Sequence, residues 1–261
     1  MLETARYEAG RRVRGTAVLT AGISALSAFF VWYFTELEGV EMDEMLAELP
    51  PAMIEAFGIE TLATIEGFLA AELYNFVWLL GLGLYFAYSA GGIVASDIER
   101  GRMDLLLSFP VSRSRLLAEK FASLLVPVVA LNVVVGTVVY LLTLAIGESI
   151  DPVALAMVHL LSIPYFLACA GIGVVLSVLF DRADVAKRVA LALVFVLFLV
   201  ESVVASAGDL EWIRYVSPTH YYSPTPILVD GTYEPADTGV LLAAFLALLF
   251  VGQLLFRRRD I

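Results

Sequence analysis

Cysteine, histidine and lysine are almost missing from this chain, and each shortage removes a class of chemistry. The single cysteine, Cys169, rules out an intrachain disulfide and a metal site built on cysteine pairs. The two histidines, His159 and His220, fall at different expected membrane depths, and no H-E-x-x-H or G-x-S-x-G occurs. The two lysines, Lys120 and Lys187, follow no G-x-x-x-x-G run, so ATP has no P-loop here. No catalytic residue, metal ligand or bound cofactor is therefore expected within the chain.

Apolar length is in excess. Of 261 residues 60% are hydrophobic, and mean hydropathy is +0.87, outside the range of soluble domains. A membrane-spanning helix needs roughly 20 apolar residues. Six runs qualify: 16–34, 73–96, 121–146, 153–180, 189–207 and 238–256. The first is too long for a signal-peptide core and lacks a small-residue cleavage pattern, so it reads as a retained anchor.

Basic charge is confined to alternate gaps between these runs. Fifteen of the sixteen Lys and Arg residues lie in 1–14, 97–120, the gap holding Arg182, Lys187 and Arg188, and the closing Arg257-Arg258-Arg259; Arg214 is the exception. Translocating basic residues is disfavoured, so these gaps are read as cytoplasmic. The expected fold is an all-α membrane protein, one domain over 1–261, with six transmembrane helices and cytoplasmic N- and C-termini. The opposite segments, 35–72 and 208–237, are acidic and read as a solvated exterior. With Arg far in excess of Lys, they suggest a salt-loving host.

Residues 1–14 predict a helix lying on the inner membrane surface. In 35–72, Pro50-Pro51 and helical spacing of Met53, Phe57, Ile65, Phe68 and Leu69 predict short helices on the outer leaflet. Gly83, Ala87, Gly91 and Ala95 share one helix face, where another backbone can approach closely, in this chain or a second copy. Pro127 and Pro164 are expected to kink their helices. Pro218, Pro224 and Pro226 predict a folded outer cap. Glu201 is the one ionisable residue well inside a span, about 20 Å beyond Arg188 at helical rise, and is a candidate for a translocation path or for a packing contact. His159 reads as an interface residue and Asn132 as an interhelical hydrogen-bonding group.

The segment from Asp97 to Arg113 is the most specific. Gly101 allows a sharp turn, Met103 to Phe109 can form two turns of helix, Pro110 stops it, and Ser112 can cap the next. Leu105, Leu106, Leu107 and Phe109 are too apolar for a short solvated loop, and some of them must enter a groove, either on the inner membrane surface or on a partner protein. Glu99-Arg100-Gly101, followed by Asp104-Leu105-Leu106-Leu107-Ser108-Phe109-Pro110-Val111-Ser112-Arg113 and Lys120, resembles the cytoplasmic segment of ABC-2 type transporter permeases, which reads roughly E-x-G-T-x-x-x-L-L-S-x-P-V-S-R before a Lys. Leu49-Pro50, Phe57-Gly58, Glu66-Gly67-Phe68 and Glu72 resemble the first outer loop of one branch. Ser217-Pro218 with Tyr221-Tyr222 and the closing Arg258-Arg259-Asp260 resemble its last loop and tail. Arg102 departs from the usual Thr.

The resemblance implies a type V exporter-like permease in the plasma membrane, paired with a second permease copy or paralogue and with a separate ABC ATPase subunit that carries ATP and Mg. It implies that Glu99, Gly101, Met103, Leu105, Leu106, Phe109, Pro110 and Arg113 couple to that ATPase, and that the first and fifth helices face each other across the dimer. A stand-alone secondary transporter would need inverted repeats and several midplane polar groups, of which only Glu201 is present. An intramembrane enzyme lacks its motifs.

Overall fold

The computed structural model describes residues 3–37, 58–108, 111–204 and 208–259, with isolated positions 44, 46, 48, 50, 53 and 54 between them. Phe57, Phe109 and Pro110 lie outside the described residues. Among those described, the chain is helical and has no strand.

Helix α1, Glu3–Glu36, runs without a break through the segment expected to lie apart on the membrane surface. No proline interrupts it, and Gly10 and Gly15 each cost only about 1 kcal/mol relative to Ala. At about 1.5 Å per residue it outreaches the hydrocarbon core by several turns, which carry Arg6, Arg11 and Arg12. Helix α2, Ile65–Gly91, starts at Thr64, whose hydroxyl accepts from the Gly67 amide, and winds as a π-helix over Ala70–Leu82. Two short helices follow, α3 (Ala95–Glu99) and α4 (Met103–Leu107). Then α5, Arg113–Ala122, leads into α6, Leu125–Ala145, across a turn at Ser123-Leu124. Pro127 accounts for the turn: it has no N–H for the Ser123 carbonyl, and its ring crowds that carbonyl. Helix α7, Pro152–Leu179, is capped by Asp151, which accepts from the Val153 amide at 2.9 Å, and it contains Pro164 without interruption. Helix α8 is Ala183–Val204, short α9 is Pro224–Val229 and α10 is Pro235–Arg258.

Among the described residues, five helices are long and apolar enough to cross a membrane: Thr4–Glu36, Ile65–Gly91, Arg113–Ala145, Pro152–Leu179 and Pro235–Arg258. Helix α8 occupies the remaining expected span and is shorter in its apolar part, bounded by Asp184, Lys187 and Arg188 at one end and Glu201 at the other.

Helix α7 is the centre of the bundle. Of its apolar stretch 78% is buried, against 22% for α1 and 17% for α10, which leave most of their apolar surface free to face lipid or another chain. It packs against α2, α6, α8 and α10. The small-residue face of α2 is used within this chain. A side chain at Gly173 of α7 would place its first carbon 2.3 Å from the Ala87 carbonyl, and one at Gly91 would lie 3.0 Å from the Lys187 backbone on α8. Lipid tails are as apolar as leucine, so close backbone packing of this kind replaces the hydrophobic drive of soluble cores. Tyr165 of α7 donates to the Leu79 carbonyl at 3.2 Å, inside the π-helical stretch. Asn132 accepts from Ser162 at 3.0 Å, the interhelical bond expected of it.

Gly173→Leu is expected to lower the thermal midpoint in detergent strongly, since overpacking a tight contact costs about 1–3 kcal/mol or more. Gly15→Ala, with no atom near the added carbon, is expected to leave the midpoint unchanged or raise it slightly.

Candidate functional site

The bundle has a basic end and an acidic end, and each carries a cluster of ionised side chains. At the basic end the chain turns at Gly101, whose φ of +62° suits glycine. Around this turn the segment is tied to four long helices. Lys120 of α5 is 4% exposed and lies 2.5 Å from Asp97 of α3 and 2.9 Å from Glu8 of α1. A buried ammonium needs such partners, because an unpaired charge out of water costs several kcal/mol. Arg12 of α1 donates to the Ser123 hydroxyl at 2.8 Å. Glu99 accepts from the Ala183 amide at 3.2 Å, placing a carboxylate at the positive N-terminus of α8. Arg113 donates to the carbonyls of Phe256 and Arg259 at the end of α10, and Arg259 in turn reaches the Val178 carbonyl of α7 and the Asp181 carboxylate. The Ser177 hydroxyl of α7 accepts from the Val94 and Ala95 amides.

Within this frame sits α4. Met103 is buried and anchors the helix to the core, so it faces away from any docking partner. Leu106 and Leu107 are half-buried against the same core. Leu105 is 64% exposed. Arg102, the residue that departs from the resembling pattern, pairs with Asp97 at 2.5 Å. Ser112 caps α5 by accepting from the Arg115 amide at 3.3 Å.

At the acidic end Glu201 has partners that sequence reading did not supply. Its Oε1 accepts from Arg214 Nε at 3.0 Å and Nη2 at 2.7 Å, and His220 Nδ1 lies 3.2 Å from the same oxygen. Oε2 is buried and has no hydrogen-bond partner. The three side chains line a cavity of about 270 Å³ between α2, α8 and the cap that follows α8. The cap itself is fastened by Ser217, which donates to the Leu197 carbonyl, and by Tyr222, which donates to the Val158 carbonyl. Thr225 and Asn75 meet at Gly58, joining the two acidic segments. Nearby, burial and then the Asp230 charge hold the Glu60 carboxyl above the usual carboxylate range. His159 differs from its expected interface role: it is buried, with Nε2 3.0 Å from the Tyr74 hydroxyl and its ring 4.6 Å from that of Trp78. Among the described residues no group of three His, Cys, Asp or Glu side chains could hold a metal ion.

Long apolar helices around a buried central helix, with ion-paired clusters at the two ends, define a multi-pass membrane protein. No curated protein matches the chain. The family model described as ABC-2 family transporter protein matches residues 20–261, and the chain belongs to that family. It is thus an ABC transporter permease, a membrane protein of transport.

Lys120→Met is expected to destabilise the protein by about 3–5 kcal/mol, because Asp97 and Glu8 lose a buried partner. Arg11→Ala, which breaks a long 3.7 Å pair between an exposed guanidinium and Glu8, should cost less than about 1 kcal/mol in the same unfolding measurement. In a Glu201→Gln and Arg214→Gln cycle, the double variant should lose less stability than the sum of the singles, by about 0.5–3 kcal/mol.

Proposed function

We propose that the chain is the membrane subunit of an exporter in the plasma membrane, with six spans, the basic end cytoplasmic, and α4 receiving force from a separate ATPase. The observation that carries this reading is Leu105. It is a large apolar side chain, exposed on a five-residue helix that follows the tethered turn at Asp97–Arg102. On the face of α4 opposite the buried Met103, Leu105 is the apolar side chain that a partner's groove would cover.

The ties give the coupling its physical form. A push on α4 is delivered to α1 through Asp97, Lys120 and Glu8, to α8 through Glu99, and to α7 and α10 through Arg113 and Arg259. ATP and Mg act on the partner subunit. A second permease, identical or paralogous, covers apolar faces that α1 and α8 leave open, with Val18, Phe29 and Trp32 on the first and Leu191, Phe195 and Leu199 on the second. Glu201, held by Arg214, lies at the outer end of α8, beside that surface.

Leu105→Asp is expected to abolish most of the stimulation of ATPase turnover when the chain is copurified with its Walker-type partner, while membrane insertion and thermal midpoint stay unchanged. Leu106→Asp should show a smaller uncoupling together with some loss of stability. Full stimulation by Leu105→Asp would remove α4 as the docking element.

A further inference from the structure

The basic end contains a partly open cavity of about 340 Å³, within the roughly 300–1,000 Å³ of ligand sites. It lies between α1, the end of α2, the α3 turn and the start of α8. Six cations line it: Arg11, Arg12, Arg100, Arg102, Lys120 and Lys187. The wall offers two carboxylates, Glu8 and Asp97, and these are already shared among Arg11, Arg102 and Lys120. Among the described residues Arg12, Arg100 and Lys187 form no ion pair with a carboxylate, and Arg12 feels Glu8 only at longer range. Arg102 Nε is buried without a hydrogen bond. Lys187 instead lies across Gly92, where an added side-chain carbon would fall 2.3 Å from its Cε, with its ammonium 5.4 Å from the centre of the Tyr88 ring.

Like charges gathered around a half-enclosed space repel one another, and the repulsion is stronger there than in open water. The arrangement is stable at low cost when an anion fills the space. We propose that this cavity binds a phosphate-bearing anion, either the headgroup of an acidic phospholipid or free phosphate. Arg and Lys donors converging on one volume suit a tetrahedral oxyanion. Given the cytoplasmic orientation proposed above, the cavity opens at headgroup level, where basic pockets between helices take acidic lipids. The bound anion would bridge α1, the turn before α4 and the base of α8, stiffening the same elements that carry the push from the ATPase.

The test uses the full chain in neutral detergent and needs no ATPase, so its failure leaves the coupling reading to be judged separately by Leu105→Asp. Phosphatidylglycerol bound against phosphatidylcholine is counted by native mass spectrometry, and inorganic phosphate by equilibrium dialysis. Arg100→Gln with Lys187→Gln should weaken binding roughly thirty-fold, at about 1 kcal/mol for each basic residue. Arg257→Gln with Arg258→Gln, an equal charge change outside the cavity, should leave binding unchanged. The single Arg100→Gln variant, at an exposed position, gives the same direction if the double variant has a lowered thermal midpoint. Selective retention of phosphatidylglycerol alone assigns the site to a lipid headgroup; phosphate binding without lipid preference assigns it to a free anion. Binding of neither probe, or equal loss in the cavity and tail variants, overturns the proposal.

Discussion

The buried Lys120 ammonium is the contact on which the basic end depends. Asp97 and Glu8 come from α3 and α1, far from α5 in sequence, and they hold those elements together through one charge that cannot be left alone. Once that position is fixed, Arg102 can share Asp97, Arg12 can reach Ser123, and Glu99 can sit over the first amide of α8. The short helix α4 then has its place decided at both ends. Its orientation, Met103 in and Leu105 out, follows from this frame rather than from any pattern in five residues.

The helices were legible in the sequence because apolar length is a strong signal, and the small face of α2 because glycine and alanine recurred every four residues. Their partner was not legible: periodicity says which face is buried, and only the fold says that Gly173 and Lys187 meet it. Charge pairs were the least legible. Lys120 could be placed in a recurring motif, but its carboxylates lie 23 and 112 residues away, and no local rule joins them. For a related reason the surroundings of His159 are not legible: its position near the start of α7 suggests headgroups, while Tyr74 and Trp78 across the bundle enclose it. The unbroken course of α1 shows the opposite limit: composition marked residues 1–14 as distinct, yet nothing in them stops a helix.

The two ends of the molecule use charge differently. At the basic end, cations outnumber the carboxylates that face them, and a cavity remains between them. At the acidic end, Glu201 finds Arg214 and His220 from the cap, despite the surplus of acids in the surrounding segments. The first arrangement has electrostatic capacity to spare, which makes it responsive to what occupies it. The second pairs its carboxylate with Arg214 and His220, which ties the cap to α8.

The Glu201–Arg214 pair also bears on how the protein enters the membrane. In the proposed orientation, with the basic end cytoplasmic, Arg214 is the one Lys or Arg that must be carried across, and it is only 13 residues from the carboxylate it meets. A loop that short closes at small entropic cost. In that orientation the two charges can meet while the segment is still being threaded, so the positive charge of Arg214 crosses already offset by Glu201, within a segment that stays acidic as a whole. The residue that breaks the charge alternation is electrically silent at the step that alternation governs.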